Sequence, residues 1–174
     1  MQALDFPGCD QLFAMIDRAV SSDCQRETTD CIRNGLAELI RTRAVTLPAC
    51  VFEPVTDHYA RRELYRCEKS GYSVVAMTWG PGQGTPVHDH SGVWCVEGVW
   101  QGQLEITQFE LREQDGDRAA DALPPAGDDD GPRGQRHWIG RDIAVHNAII
   151  PREYRVRHCG GRILLACYEL FPFE

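Results

Sequence analysis

The chain has 174 residues, 43% hydrophobic and 25% charged, which suits one globular domain able to bury a core without disulfide staples. Its net charge of -8 argues against a nucleic-acid surface, whose footprint is basic, and no apolar run approaches the length of a membrane span. The opening residues, MQALDFPGCDQLF, lack the basic stretch and apolar run of a secretory signal, so a cytoplasmic protein is expected.

Eight cysteines stand at 9, 24, 31, 50, 67, 95, 159 and 167, with no Cys-x2-Cys pair. Their scatter predicts mostly reduced, buried small hydrophobes instead of a disulfide or zinc framework. Residues 7–45 read as helical. Leu12, Met15, Ile16 and Val20 recur at helical spacing, as do Ile32, Leu36, Leu39 and Ile40, with Thr28, Thr29 and Asp30 as candidate caps for the second helix. Arg41 and Arg43 suit the negative pole of that helix. Residues 48–54 read as a connector, and 59–65 as a short helix or an edge segment. With no coiled coil or long amphipathic surface, a monomer is expected.

From residue 72 the texture changes to strands. YSVVAMTW (72–79) predicts a strand, and GPGQGTP after it a turn. That turn leads into His88-Asp89-His90. In an extended strand the two imidazoles share a face, and neutral ring nitrogens held by a strand make half of a metal site. The run 93–100 has the alternation of a strand buried on both faces, ended by a turn at Gln101-Gly102 and followed by a strand over 103–111. Residues 114–136, acidic and rich in Pro and Gly, predict a mobile loop. Strand character returns at 137–139, 142–150, 154–158 and 162–170. Many short strands imply a sandwich or barrel, and no repeat or second domain is evident.

Gly82 lies six residues before His88, and Gly102 seven after Cys95. This resembles the first motif of the cupins, G-x5-H-x-H-x3/4-E-x6-G, with Cys95 at the usual position of the acidic ligand. The resemblance implies one mainly β domain over 1–174, a double-stranded β-helix (jelly-roll) barrel preceded by helices. His146, six residues after Gly140 within an apolar run, matches the ligand histidine of the second cupin motif. Three imidazoles around one metal leave positions open, which favours iron(II) and oxygen chemistry.

The stretch WGPGQGTPVHDHSGVWCVEGVWQG is similar to the thiol dioxygenases of the cysteine dioxygenase family. That resemblance implies Fe(II) held by His88, His90 and His146, and oxidation of a small thiol carboxylic acid by O2 to the sulfinic acid. L-cysteine is the leading substrate, with 3-mercaptopropionate and mercaptosuccinate as alternatives. It also implies catalytic roles for Cys95 and Tyr168, joined in some members by a thioether. Arg61 or Arg62, in Tyr59-Ala60-Arg61-Arg62, matches the segment that binds the substrate carboxylate, for which a guanidinium fork is suited. The family's Ser-x-His-x-Tyr relay is absent, because Leu164 and Ala166 precede Tyr168; His137 and His158 are candidate substitutes. Two other readings stay open: a three-His, one-Glu centre using Glu97, and a cupin that binds a metal or ligand without turnover.

Overall fold

The computed structural model describes residues 4–85, 93–110, 135–140, 143–146, 152–157 and 162–169; within 104–164, and at 168 and 169, it describes the backbone alone. Two helices open the chain, α1 (Cys9–Ala19) and α2 (Gln25–Thr42), followed by a 3-10 turn at Ala49–Phe52. Eight strands follow: β1 (Ala60–Cys67), β2 (Tyr72–Trp79), β3 (Cys95–Gln101), β4 (Gln103–Glu110), β5 (Gln135–Gly140), β6 (Ile143–His146), β7 (Arg152–Arg157) and β8 (Arg162–Glu169). Every ladder is antiparallel, in one sheet of order β1-β2-β8-β3-β6 and another of order β5-β4-β7.

The order of pairing explains the architecture. The ribbon β3–β4 is flanked on one side by β5–β6 and on the other by β7–β8, and each of these ribbons crosses from one sheet to the other. Such antiparallel ribbons, shared between two sheets, form the double-stranded β-helix expected of a cupin. The tight turn joining β3 to β4 needs Gly102, whose φ of 87° lies in the left-handed region.

Helix formation follows the apolar spacing. Leu12, Ile16, Ile32, Leu36 and Leu39 bury the inner stripes of α1 and α2. They join one core with Tyr72, Val74, Ala76, Trp94, Val96, Leu165 and Cys167, which are alternate residues on one face of the larger sheet. Gly8 starts α1 at φ 85°, and a Cβ there would come within 2.2 Å of the Ala44 carbonyl oxygen. Tyr72 ties helix to sheet by donating a hydrogen bond to Asp17 at 2.9 Å.

Several expectations need correction. Thr28, Thr29 and Asp30 do not cap α2, which begins earlier at Gln25. The Thr28 hydroxyl instead donates to the Ala19 carbonyl at 3.1 Å, locking the end of α1 to α2, while Ser22 accepts from the Cys24 N–H. Of the two readings of residues 59–65 the edge segment holds, since 60–67 form the edge strand β1. Gln135 and Arg136 belong to β5 and not to the preceding loop, whose residues 114–134 lie outside the described residues. Burial of the cysteines is mixed: among the described ones Cys24, at the N-cap of α2, Cys31 within α2 and Cys50 in the 3-10 turn are exposed. Among the described residues no helix is long and apolar enough to cross a membrane.

Two buried acids make this core sensitive to alkali. Burial pushes the Cys167 thiol up to about 12. Burial, and then the Asp17 carboxylate, hold the Tyr72 phenol above its usual range. Both groups bind protons more tightly folded than unfolded. Their contribution is therefore fully present below the unfolded values, about 8.5 for the thiol and about 10 for the phenol, and is lost as pH rises through the folded ones. The urea midpoint is expected to fall between about pH 8 and 11, less steeply in Cys167→Ala; equal slopes in the two proteins would remove Cys167 from this account.

Candidate active site

Within the larger sheet, β2 and residues 95–99 of β3 are buried on both faces. Its outer face carries the helices, and the alternate residues of β2, β3 and β8 form an inner face. On that face Ser73, Val75, Met77, Trp79, Cys95, Glu97, Val99 and Ala166 are all buried, Cys95 fully so. Period-2 alternation assigns these residues together, and the strand register then sets them in rows.

One row holds three of the residues singled out in the sequence. Cys95 is the direct ladder partner of His146 on β6 and of Tyr168 on β8. Tyr168 in turn faces Ser73, and Ser73 faces Arg66. Directly opposed residues of an antiparallel pair share a face, with Cα atoms about 4.5–5.5 Å apart. The row His146–Cys95–Tyr168–Ser73 thus crosses four adjacent strands. The next row along contains Ala144, Glu97, Ala166, Val75 and Glu63. The third contains Val99, Leu164, Met77 and Arg61.

The two arginine candidates separate at β1. Arg62 is opposite Ala76, on the face that carries the helices, and its Nη2 donates to the Glu53 carbonyl at 2.6 Å. Arg61 is opposite Met77 in the inner-face register, and its side chain is exposed at the edge of the sheet. A bulge at Leu64 restores inner-face parity to Arg66, which bridges Glu63 at 2.6 Å. The Glu63 carboxylate, through this hydrogen bond, raises the Arg66 guanidinium above its ordinary value. The displaced Leu64 is buried, and its carbonyl accepts from the Leu4 N–H at 3.2 Å.

His88 and His90 lie outside the described residues, as does His158. His137 is on β5, opposite Ile106 in the smaller sheet. Among the described residues no three metal-binding side chains come together. Chain length still bounds the histidine pair: His90 is five residues before Cys95, so its Cα is at most about 18 Å from the row. Of the residues on the row, His146 and Cys95 are of types that ligate transition metals. His146 has a cysteine as its ladder partner, so no carboxylate stands at the position directly beside it.

Ser73 escaped the sequence reading. It lies within a strand that was legible, but its proximity to Tyr168 is a matter of register across 95 residues of chain, for which a single sequence carries no signal.

Comparison with known proteins gives the following. The sequence model of the family described as cysteine dioxygenase type I matches residues 54–123. Among solved structures, similarity extends to the TT1209 protein of Thermus thermophilus, at 14% identity and a TM-score of 0.49, over 73% of this chain and 98% of that one. A cupin superfamily protein of Desulfitobacterium hafniense has 11% identity and a TM-score of 0.47, over 72% and 90%. An uncharacterized conserved protein with a double-stranded β-helix domain, from Klebsiella pneumoniae, has 14% identity and a TM-score of 0.47, over 71% and 88%.

Proposed function

We propose that the chain is a non-haem iron thiol dioxygenase that converts a small thiol carboxylic acid, L-cysteine or a close mercapto acid, to its sulfinic acid. The conversion is R–SH + O2 → R–SO2H, with both oxygen atoms entering the product. The observation that carries the reading is the register row His146–Cys95–Tyr168, whose described side chain, Cys95, is fully buried. The family match over residues 54–123 supports it, since that segment includes His88, His90, Cys95 and both arginines.

In this reading His88, His90 and His146 hold a ferrous ion, which when bound supplies a cation that favours the thiolate form of the substrate and brings O2 beside it. The chain's own groups do the remaining work. Arg61 offers a planar fork to the substrate carboxylate. The Tyr168 hydroxyl donates a hydrogen bond to the substrate at the reacting sulfur and fixes its orientation. Val75, Met77, Val99 and Ala166, all buried, keep water from the inner face.

The register that makes Cys95 and Tyr168 direct cross-strand partners supports a thioether between Sγ and the phenol ring. Forming it removes one hydrogen from each residue, with O2 as the oxidant. Peptide mass mapping of active protein is expected to show a 95–168 cross-link two hydrogens lighter than the separate peptides; fully active protein with unlinked peptides would contradict it.

The experiment that tests the function is an oxygen-electrode panel with iron-loaded protein and L-cysteine, 3-mercaptopropionate, cysteamine and mercaptosuccinate. Oxygen uptake with a thiol acid, matched by sulfinate formation, is the expected result. A binding module without turnover would retain metal and consume no oxygen with any of the four. A three-His, one-Glu centre would lose its metal in Glu97→Gln, whereas the present reading has that variant retain iron.

A further inference from the structure

We propose that Gln83 is a positioning residue: it ties the turn that precedes the His88 segment to the connector that precedes β1, and so sets where the chain enters the metal-ligating segment. The inference rests on the reading of His88 and His90 as ligands. It is carried by the bonds of one side chain.

After β2 the chain reverses through Gly80-Pro81-Gly82-Gln83. The Gln83 N–H donates to the Gly80 carbonyl at 3.3 Å, and Gly82 has a φ of 76°. Proline at the second position and a left-handed glycine at the third are what a type II turn asks for. The Gln83 side chain closes the same turn a second time, its Oε1 accepting from the Gly80 N–H at 2.7 Å. Its Nε2 donates away from the turn, to the Val55 carbonyl at 2.6 Å and the Thr56 carbonyl at 3.2 Å. A backbone N–H can only donate and a carbonyl only accept, so these partners fix which end of the amide faces which.

A turn closed by its own backbone bond reverses the chain without help from elsewhere. The bonds to residues 55 and 56, 28 and 27 positions away, therefore serve placement. The connector is itself fixed to the sheet. Thr78 donates to the Val51 carbonyl, Arg62 donates to the Glu53 carbonyl at 2.6 Å, and Tyr59 stacks on Trp79 with ring centroids 5.1 Å apart. Pro81, Gly82 and Gly84 are exposed, whereas Gln83 is half-buried against this support. Beyond the turn Thr85 is buried again, and the proline after it biases Thr85 to extended backbone. His88 follows Gln83 by five residues and His90 by seven. Ligands on so short a lead inherit the placement of its root, and a metal site needs them held to within about 0.5 Å.

The test compares the full chain with two variants. Gln83→Met keeps the length and loses every bond of the amide; Gln83→Glu keeps the acceptor for Gly80 and loses the donor to the connector. In metal-free protein, hydrogen exchange at the Gly80 amide is expected to quicken by about fivefold or more in Gln83→Met, as one lost hydrogen bond implies, and to stay near wild type in Gln83→Glu. Ferrous iron is the probe of positioning, its dissociation constant measured by chelator competition without oxygen, at a temperature where each variant is folded. Both variants are expected to bind iron about tenfold more weakly, the lower end of what losing a ligand's support costs. A residue that only stabilises the fold would lower the unfolding temperature and leave that constant unchanged. Unchanged exchange in Gln83→Met, or wild-type iron affinity in either variant, overturns the proposal and leaves the proposed function standing. A wild-type protein that binds no iron overturns both.

Discussion

His146→Ala is expected to lose its iron on dialysis and to lower thiol-dependent oxygen uptake by more than about a hundredfold. Changing a group that merely orients a metal ligand costs about 10–100-fold, and removing a ligand costs more. The fold should tolerate the change. His146 is at the end of β6 and pairs with Cys95 through the backbone, which alanine preserves. The measurement is iron per chain after dialysis, with near-ultraviolet circular dichroism as the check on folding. Wild-type iron in a folded His146→Ala protein would mean that residue 146 is not a ligand.

Arg61→Ala is expected to raise KM for a thiol acid, at a cost of about 1.5–3 kcal/mol for a lost hydrogen bond to a charged group, or roughly 10–100-fold in kcat/KM. Arg62→Ala should behave differently, although it is the adjacent residue with the same side chain. Its guanidinium is already held by the Glu53 carbonyl at 2.6 Å, on the face away from the row. Losing it should lower stability by about 1 kcal/mol and leave kcat/KM unchanged. Cysteamine, which has no carboxylate, provides a further control, since Arg61→Ala should not alter its oxidation. A larger kinetic effect from Arg62→Ala than from Arg61→Ala would exchange the two assignments.

Most of the elements were legible because their burial is periodic. The apolar run 72–79 is β2 to the residue, buried at all eight positions. The stripes of α1 and α2 were evident from helical spacing. The start of α2 was not, because Thr28 and Thr29 resemble caps while serving as buried links to the end of α1 and to the preceding turn of α2.

The candidate site was legible as residue types and not as an arrangement. Cys95, Tyr168 and His146 were each identified from motif position, yet their alignment depends on two ladders that join strands far apart in sequence. The bulge at Leu64 shows the limit. Simple alternation along β1 places Arg66 opposite in parity to Arg61, whereas one displaced residue returns both to the inner-face register. For the same reason Ala166 reads in sequence as a missing polar group, while the structure sets Glu97 beside it from another strand.

The central claim is that three imidazoles, from 88, 90 and 146, share one ferrous ion. X-ray absorption at the iron edge, on iron-loaded protein, tests it most directly because imidazole gives a distinctive multiple-scattering pattern. The account predicts three imidazoles in the wild type and two in iron-reconstituted His146→Ala. Two imidazoles in the wild type, unchanged by that substitution, would contradict it.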